Sequence, residues 1–242
     1  MKKLFAEFKD GLPVNVDIQN AIDGFINFNY DIVKYSLEDI QLGKIDFRAK
    51  SNPFVGSIDA MTALFKNLGK YPEPIDFPDS IINSGLLNRD VVPMTLNEAI
   101  KWFRDTNKPI FIKPVQTKLF DGILISNEQD LNYFRGHENP DVWVSSKIDI
   151  ISEHRAYIHN ANLVYCCNYV GDFRINPSYD YIDRLIENYD NQPIAYNIDV
   201  AVLANGDNVV VEFGDFWSNG SYGLYCIDYA NMLLDRYFEI IS

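Results

Sequence analysis

The segment Ile198–Trp217, IDVAVLANGDNVVVEFGDFW, constrains the fold most, because it predicts a β-hairpin whose strands carry acidic side chains. Asn205-Gly206 is the strongest short-range hairpin signal, and it predicts a two-residue type I′ turn between the strands. Asp199 begins the first strand, Glu212 lies on the second, and Asp215 follows. A turn at Asn205 brings Asp199 and Glu212 to the same edge of the sheet.

Carboxylates that are clustered in this way repel one another, and a bound cation usually keeps them ionised. Their hard oxygen atoms favour Mg²⁺. Asp199, Glu212 and Asp215 are therefore candidate metal ligands. The alternative that the hairpin leaves open is a solvated strand end that binds nothing.

The composition limits the class of partner. The chain has 242 residues, of which 47% are hydrophobic, and this suits one large domain or a small lobe joined to a larger one. Its net charge of -13 argues against nucleic acid and anionic membranes as partners, so a phosphate site must be a local basic pocket. No signal-peptide or membrane-span pattern is present, and we expect a soluble, cytoplasmic protein.

Three prolines mark a boundary between two parts of the chain. They lie in the segment at 70–80, KYPEPIDFPDS, which is the best linker candidate in the sequence. We therefore predict a small lobe over residues 1–75 and a larger unit over residues 76–242.

Helix signals are strongest at two places. Ser57 caps an apolar stripe that stops at Gly69, and Thr95 forms a capping box with Glu98 at the start of a second stripe. Aromatic and β-branched residues make the segment at 20–36 strand-like in composition.

Three basic residues stand out because of their positions. Lys113 is inside an apolar strand segment, FIKP, and an unpaired buried ammonium is costly, so it must reach a partner or a site opening. Lys118 follows in a predicted hairpin loop, where it could close over a polyanion. Arg155 lies two residues after Glu153 in SEHRAYI, so both side chains point to the same face of a strand. Each of these cations, taken alone, is more often a surface ion-pair partner.

The order of these features resembles the ATP-grasp superfamily. FVGSIDAMTALF, FIKPVQTKLFDG, SEHRAYI, NIDVAVLANGDNVVVEFGDF and SYGLY look most like the bacterial and phage clade that has lysine in place of a usual arginine. That clade is related to the eukaryotic cell-division-cycle ATP-grasp protein that assists initiation-factor assembly. The resemblance covers residues 54–230 and implies an α+β ATP-grasp fold. Two lobes, 76–145 and 146–242, would enclose a nucleotide cleft with their antiparallel sheets, after a small N-terminal pre-ATP-grasp lobe.

The resemblance also implies roles for individual residues. Lys113 would contact the α- and β-phosphates of ATP, and Lys118 would belong to the loop that covers them. Arg155 would lie near the γ-phosphate or the acyl phosphate, which makes Arg155 and Lys118 the implied catalytic residues. Asp199 and Glu212 would hold Mg²⁺. The implied hinge and ribose contacts are Ser146, Lys147, Ile148 and Glu153.

The chain departs from the family pattern at three positions. The phosphate-covering loop has Lys118-Leu119-Phe120 in place of a run of glycines, and the hinge has serine where many members have glutamate. Gly214 stands where a metal-binding asparagine is expected, and Asp215 could substitute for it. The number of bound metals is therefore left open.

The implied activity is that of a ligase that joins a carboxylate to an amine or similar nucleophile through an acyl phosphate, with ATP and Mg²⁺. The alternative is a non-catalytic ATP-binding assembly factor or a peptide-binding switch. Arg174 is a candidate clamp for a substrate carboxylate, or else a surface salt-bridge partner. Ser221 and Tyr222 lie in a glycine-containing loop that could contact the acceptor or form an ordinary polar turn. The sequence names neither substrate.

Overall fold

The computed structural model describes residues 2–45, 52–116 and 119–242, and this part of the chain contains three four-stranded sheets. The strands of the N-terminal sheet are β1 (Lys2–Lys9), β2 (Leu12–Pro13), β3 (Tyr30–Tyr35) and β4 (Phe54–Val55). β1 pairs in parallel with β3 and β4, and antiparallel with β2. The helices of this region are α1 (Val16–Asn27), α2 (Leu37–Gln41) and α3 (Ile58–Leu68).

The second sheet is antiparallel, with the spatial order β5-β8-β6-β7. Its strands are β5 (Val91–Thr95), β6 (Ile110–Pro114), β7 (Ile123–Ile125) and β8 (Asp141–Ser146), and its helix is α5 (Leu96–Thr106). Helix α4 (Asp79–Ser84) precedes this sheet, and its Ile81 is buried in a different cluster, with Ile182 and Ile198. Phe103 of α5 is buried with Ile112 and Val144 of the sheet, so α5 covers one face.

The third sheet is also antiparallel, with the order β10-β9-β11-β12. Its strands are β9 (Ile150–His159), β10 (Asn162–Gly171), β11 (Ala195–Leu203) and β12 (Asn208–Asp215), and the helices are α6 (Tyr179–Glu187) and α7 (Cys226–Ile241). Ile198 and Val200 pack beneath α6 with Leu185. Strand alternation turns the intervening side chains to the opposite face, which we call the cleft face. It carries Glu153, Arg155, Asn197, Asp199 and Glu212.

Helix α7 joins the N-terminal sheet to the third sheet. One buried cluster contains Phe25 of α1, Tyr157 of β9 and Met232 of α7. The crossing of α1 and α7 requires Gly24, because a Cβ there would lie 2.1 Å from the carbonyl oxygen of Cys226. None of the helices in the described ranges is both long and apolar enough to cross a membrane.

Both predicted helix starts are confirmed. The Ser57 hydroxyl accepts a hydrogen bond from the Ala60 amide at the start of α3, and Gly69 ends that helix in a left-handed conformation. Thr95 and Glu98 form the predicted capping box at the start of α5. The strand-like interpretation of residues 20–36 is wrong for its first half, which belongs to α1. The apolar side chains of this segment recur every three or four residues, so a helix buries them together on one face. The stabilisation from this burial outweighs the β propensity of the individual residues.

The predicted hairpin is confirmed, but its turn differs from the predicted type. Gly206 has φ +90°, and its amide donates to the carbonyl of Leu203, which is the pattern of a type I turn followed by a bulge residue. Positive φ at two successive positions occurs in two other hairpins, at Asp10 and Gly11 between β1 and β2 and at Asn160 and Ala161 between β9 and β10. The register places Asp199 directly opposite Glu212.

Candidate active site

The second and third sheets meet at Lys113. Its ammonium lies 2.8 Å from Oδ2 of Asp76, in the proline-rich segment at 70–80, and 2.6 Å from Oε2 of Glu212 on the cleft face. Burial alone would lower the pKa of Lys113, but the two carboxylates outweigh it, and the net pKa is raised. Lys113 is therefore a charged, paired group, as its place in an apolar strand requires.

Arg155 is held rigidly at the centre of the cleft face. Its Nε and Nη2 atoms donate to the two carboxylate oxygens of Asp199 at 2.8 and 2.7 Å, and both side chains are buried. The guanidinium carbon lies 4.7 Å from the ring centroid of Tyr169 and 4.9 Å from that of Tyr222. Nη2 is also 3.8 Å from Oε1 of Glu212. The carboxylate of Glu212 thus connects the arginine of one sheet to the lysine of another.

Glu153 lies on the same face of β9 as Arg155. Burial, followed by the negative charges of Asp199 and Glu212, raises its pKa from 4.5 to about 7. An acid in this position changes its charge close to neutral pH.

The Glu153→Gln substitution is expected to stabilise the protein at pH 8 and to have little effect at pH 5. The native carboxyl has a pKa above its unfolded value, so stability falls as pH rises from 4.5 through about 7. Glutamine does not titrate, and after allowance for solvent the difference at pH 8 should be about 1–2 kcal/mol. Urea unfolding at both pH values measures it, with exposed Glu187→Gln as the control. A difference that is equal at pH 5 and pH 8 would contradict this titration.

The predicted hinge residues lie in the connection between the second and third sheets. Ser146 ends β8 opposite Ile110, and Lys147 forms an exposed ion pair with Asp149 at 3.2 Å before β9 begins. Ile148 is half-buried between them. Their contact with adenine stays a prediction. Lys118 lies outside the described residues.

The structure does not bring Asp215 to the other two acids, which corrects the expected three-acid set. Strand alternation turns its side chain away from the cleft face, and it accepts a bidentate pair of hydrogen bonds from buried Arg236 of α7. No three His, Cys, Asp or Glu side chains in residues 2–45, 52–116 and 119–242 are grouped so that they could hold a metal. A metal at Asp199 and Glu212 would therefore need oxygen ligands of another kind.

The predicted substrate residues divide into two groups. Arg174 is exposed and pairs with Asp172 at 2.6 Å, which is the surface alternative that the sequence left open. Ser221 is buried, and both its amide and its hydroxyl donate to Asp17 of α1. Tyr222 packs its ring against the Arg155 guanidinium. The loop at 221–222 thus belongs to the site region, whereas Arg174 does not.

Two cavities adjoin the charged residues. One of about 140 Å³ lies between the second and third sheets, and its lining includes Asp76, Lys113, Phe120, Glu212, Gly214 and Asn219. The other, of about 380 Å³, lies between the N-terminal region and the third sheet. Its lining includes Asp17, Ser57, Trp217, Asn219, Tyr222 and Tyr229. Asn219 lines both cavities.

Sequence reasoning missed Asp76, Asn197 and Arg236. Asp76 lies between Ile75 and Phe77 in the proline-rich segment at 70–80, and an acid between two apolar residues is the signal that could have found it. Arg236 lies in an apolar helix, as Lys113 lies in an apolar strand. Asn197 gives no signal of its own in the sequence, because strand pairing places it opposite Gly214 of β12.

Residues 86–232, more than half of the chain, match the family model for the ATP-grasp domain, R2K clade family 2. No curated protein sequence matches the chain. Many solved structures share its fold, among them the following three. D-cycloserine synthetase DcsG has a TM-score of 0.65 at 12% identity, over 99% of this chain and 100% of that chain. Macrocyclase MdnC bound with precursor peptide MdnA, from Microcystis aeruginosa MRC, has a TM-score of 0.58 at 11% identity, over 97% of this chain and 99% of that chain. D-alanine--D-alanine ligase from Bacillus anthracis, complexed with ATP, has a TM-score of 0.54 at 14% identity, over 99% of this chain and 95% of that chain.

Proposed function

Because the chain belongs to the ATP-grasp superfamily, in R2K clade family 2, we propose that it is an ATP- and Mg²⁺-dependent ligase. It would join a carboxylate to an amine or similar nucleophile through an acyl phosphate. The predicted α+β ATP-grasp fold is confirmed by the family match and by the structures that share it. The observation that carries the proposed activity is the meeting of Lys113 from one antiparallel sheet with Glu212 and Arg155 from another.

The proposed lobes keep the division expected from the sequence. A small lobe, 1–75, contains the N-terminal sheet, and the lobes at 76–145 and 146–242 provide the two antiparallel sheets. ATP would bind between these two sheets. The cavity that contains Lys113 supports this position for the phosphates.

Lys113 is proposed to bind the α- and β-phosphates. Its ammonium now has two carboxylate partners, and a triphosphate would offer it the same kind of charged oxygen atoms. Lys118 is proposed to cover the phosphates, and Phe120 of the same loop lines the cavity. Glu153 would bind the ribose, and the connection at 146–148 would bind the adenine.

Asp199, Glu212 and Asn197 offer the oxygen atoms that Mg²⁺ prefers. Asp199 and Glu212 face each other on adjacent strands, and Oδ1 of Asn197 is buried with no hydrogen-bond partner among the described residues. These residues fit a magnesium ion, which when bound would neutralise charge on the transferred phosphoryl group. Arg155 would stabilise the same charge with a guanidinium that Asp199 already orients.

The second cavity is the proposed acceptor site. It lies beside Tyr222, whose ring contacts Arg155, and so it adjoins the place where an acyl phosphate would form. The similar structures include a D-alanine ligase and a macrocyclase bound with a precursor peptide. We propose an amino acid or a peptide as the acceptor.

One observation favours the alternative of a non-catalytic ATP-binding switch. The Asp199 carboxylate already accepts three hydrogen bonds, two from Arg155 and one from Asn197, and Gly214 adds no ligand. A site that is closed in this way could bind nucleotide without turnover.

ATP binding is expected to require Mg²⁺, and Glu212→Gln should weaken it about tenfold or more, because a carboxylate ligand of the metal is lost. Calorimetric titration with and without chelator measures this. ADP release in mixtures of carboxylates with amino acids or short peptides then tests the ligase. Equal affinity with chelator would contradict the metal assignment, and Mg²⁺-dependent binding without ADP release in any mixture would favour the switch.

A further inference from the structure

Gly214 has no side chain, and the amide groups of Asn197 and Asn219 occupy the space next to it on the cleft face. Gly214 follows Glu212 on the same face of β12 and lies opposite Asn197 of β11. A Cβ at Gly214 would lie 2.5 Å from Oδ1 of Asn197 and 2.7 Å from Nδ2 of Asn219. Any side chain at position 214 would therefore displace these two amides.

Asn197 has one amide atom paired and the other unpaired. Its Nδ2 donates to Oδ1 of Asp199 at 3.0 Å, and this bond fixes which end of the amide faces Gly214. Its Oδ1 is fully buried and has no hydrogen-bond partner among the described residues. A buried acceptor without a partner is costly, so nearly all such groups in native proteins are satisfied by protein, water or a bound ion.

We propose that Asn197 supplies the amide oxygen for Mg²⁺ that position 214 lacks, so that Asp199, Glu212 and Asn197 together hold the metal. The inference rests on the proposed function, because it assumes a metal at the two acids. It differs from the family pattern in the strand that provides the amide: β11 instead of β12. The pairing of Asn197 with Gly214 explains the exchange, because the amide of one strand occupies the space of a side chain on the other.

The test compares Asn197→Ala with Asn197→Asp, using Mn²⁺ as the probe and ADP as the nucleotide. Alanine removes the oxygen and should lower Mn²⁺ affinity about tenfold or more, whereas aspartate keeps an oxygen at that position and should restore it. Electron paramagnetic resonance of free Mn²⁺ measures the affinity without turnover. Aspartate should also make the melting temperature rise more steeply with Mn²⁺ than in the wild type, because the metal neutralises a buried charge.

The inference is overturned if Asn197→Ala binds Mn²⁺ as the wild type does. It is also overturned if alanine and aspartate weaken binding equally, since that is the result for a residue that only orients Asp199. A wild type that binds no Mn²⁺ with ADP overturns the proposed function as well.

Discussion

Replacing Lys113 with methionine is expected to lower the affinity for ATP by about 10- to 100-fold and the free energy of unfolding by about 3 kcal/mol. The loss of affinity follows from the loss of charged hydrogen bonds to phosphate. The loss of stability follows from the structure, because Asp76 and Glu212 would then face each other without the ammonium between them. Calorimetric ATP titration and urea unfolding at pH 7 measure the two effects.

The double variant Lys113→Met with Asp76→Asn separates the two roles of the lysine. Asparagine removes the buried charge that methionine leaves unpaired, so much of the lost stability should return. ATP affinity should stay low, because no cation has been restored to the cleft. A double variant that regains both stability and ATP affinity would make Lys113 a purely structural residue.

The local elements of this fold could be predicted because their signals are local. Ser57, Thr95 and Glu98 act on backbone amides within three residues, so their helices could be recognised from a few letters of sequence. The turn type at Asn205 could not, because the bulge that follows depends on how the two strands twist together. The helix at 16–27 was obscured by its β-branched and aromatic residues, and packing against α7 decides its conformation.

The candidate site could be predicted only where one residue type stood in an unusual place. Lys113 and Arg155 were identifiable because cations are rare in buried strands. The partners of those cations were not, since Asp76 lies in the proline-rich segment at 70–80 and is 37 residues before Lys113. Asp215 was grouped with Glu212 because it lies three residues further along the sequence, although an odd number of steps along a strand reverses the face.

Replacing Arg155 with alanine is expected to reduce kcat for ADP release by about 100-fold or more while raising the Kd for ATP much less. A guanidinium that faces the transferred phosphoryl group acts mainly in the transition state. The variant should also lose about 3–5 kcal/mol of stability, because Asp199 would be left buried without its bidentate partner. Stopped-time ADP assays, ATP titration and urea unfolding together measure these effects.

Arg236→Ala is the matched control, because Arg236 and Asp215 form a second buried bidentate pair that points away from the cleft face. Its loss of stability should resemble that of Arg155→Ala, since each change leaves one buried carboxylate unpaired. At a temperature where circular dichroism shows both variants folded, only Arg155→Ala should lose kcat strongly. If both variants lose kcat in proportion to their lost stability, Arg155 supports the sheet and has no part in phosphoryl transfer.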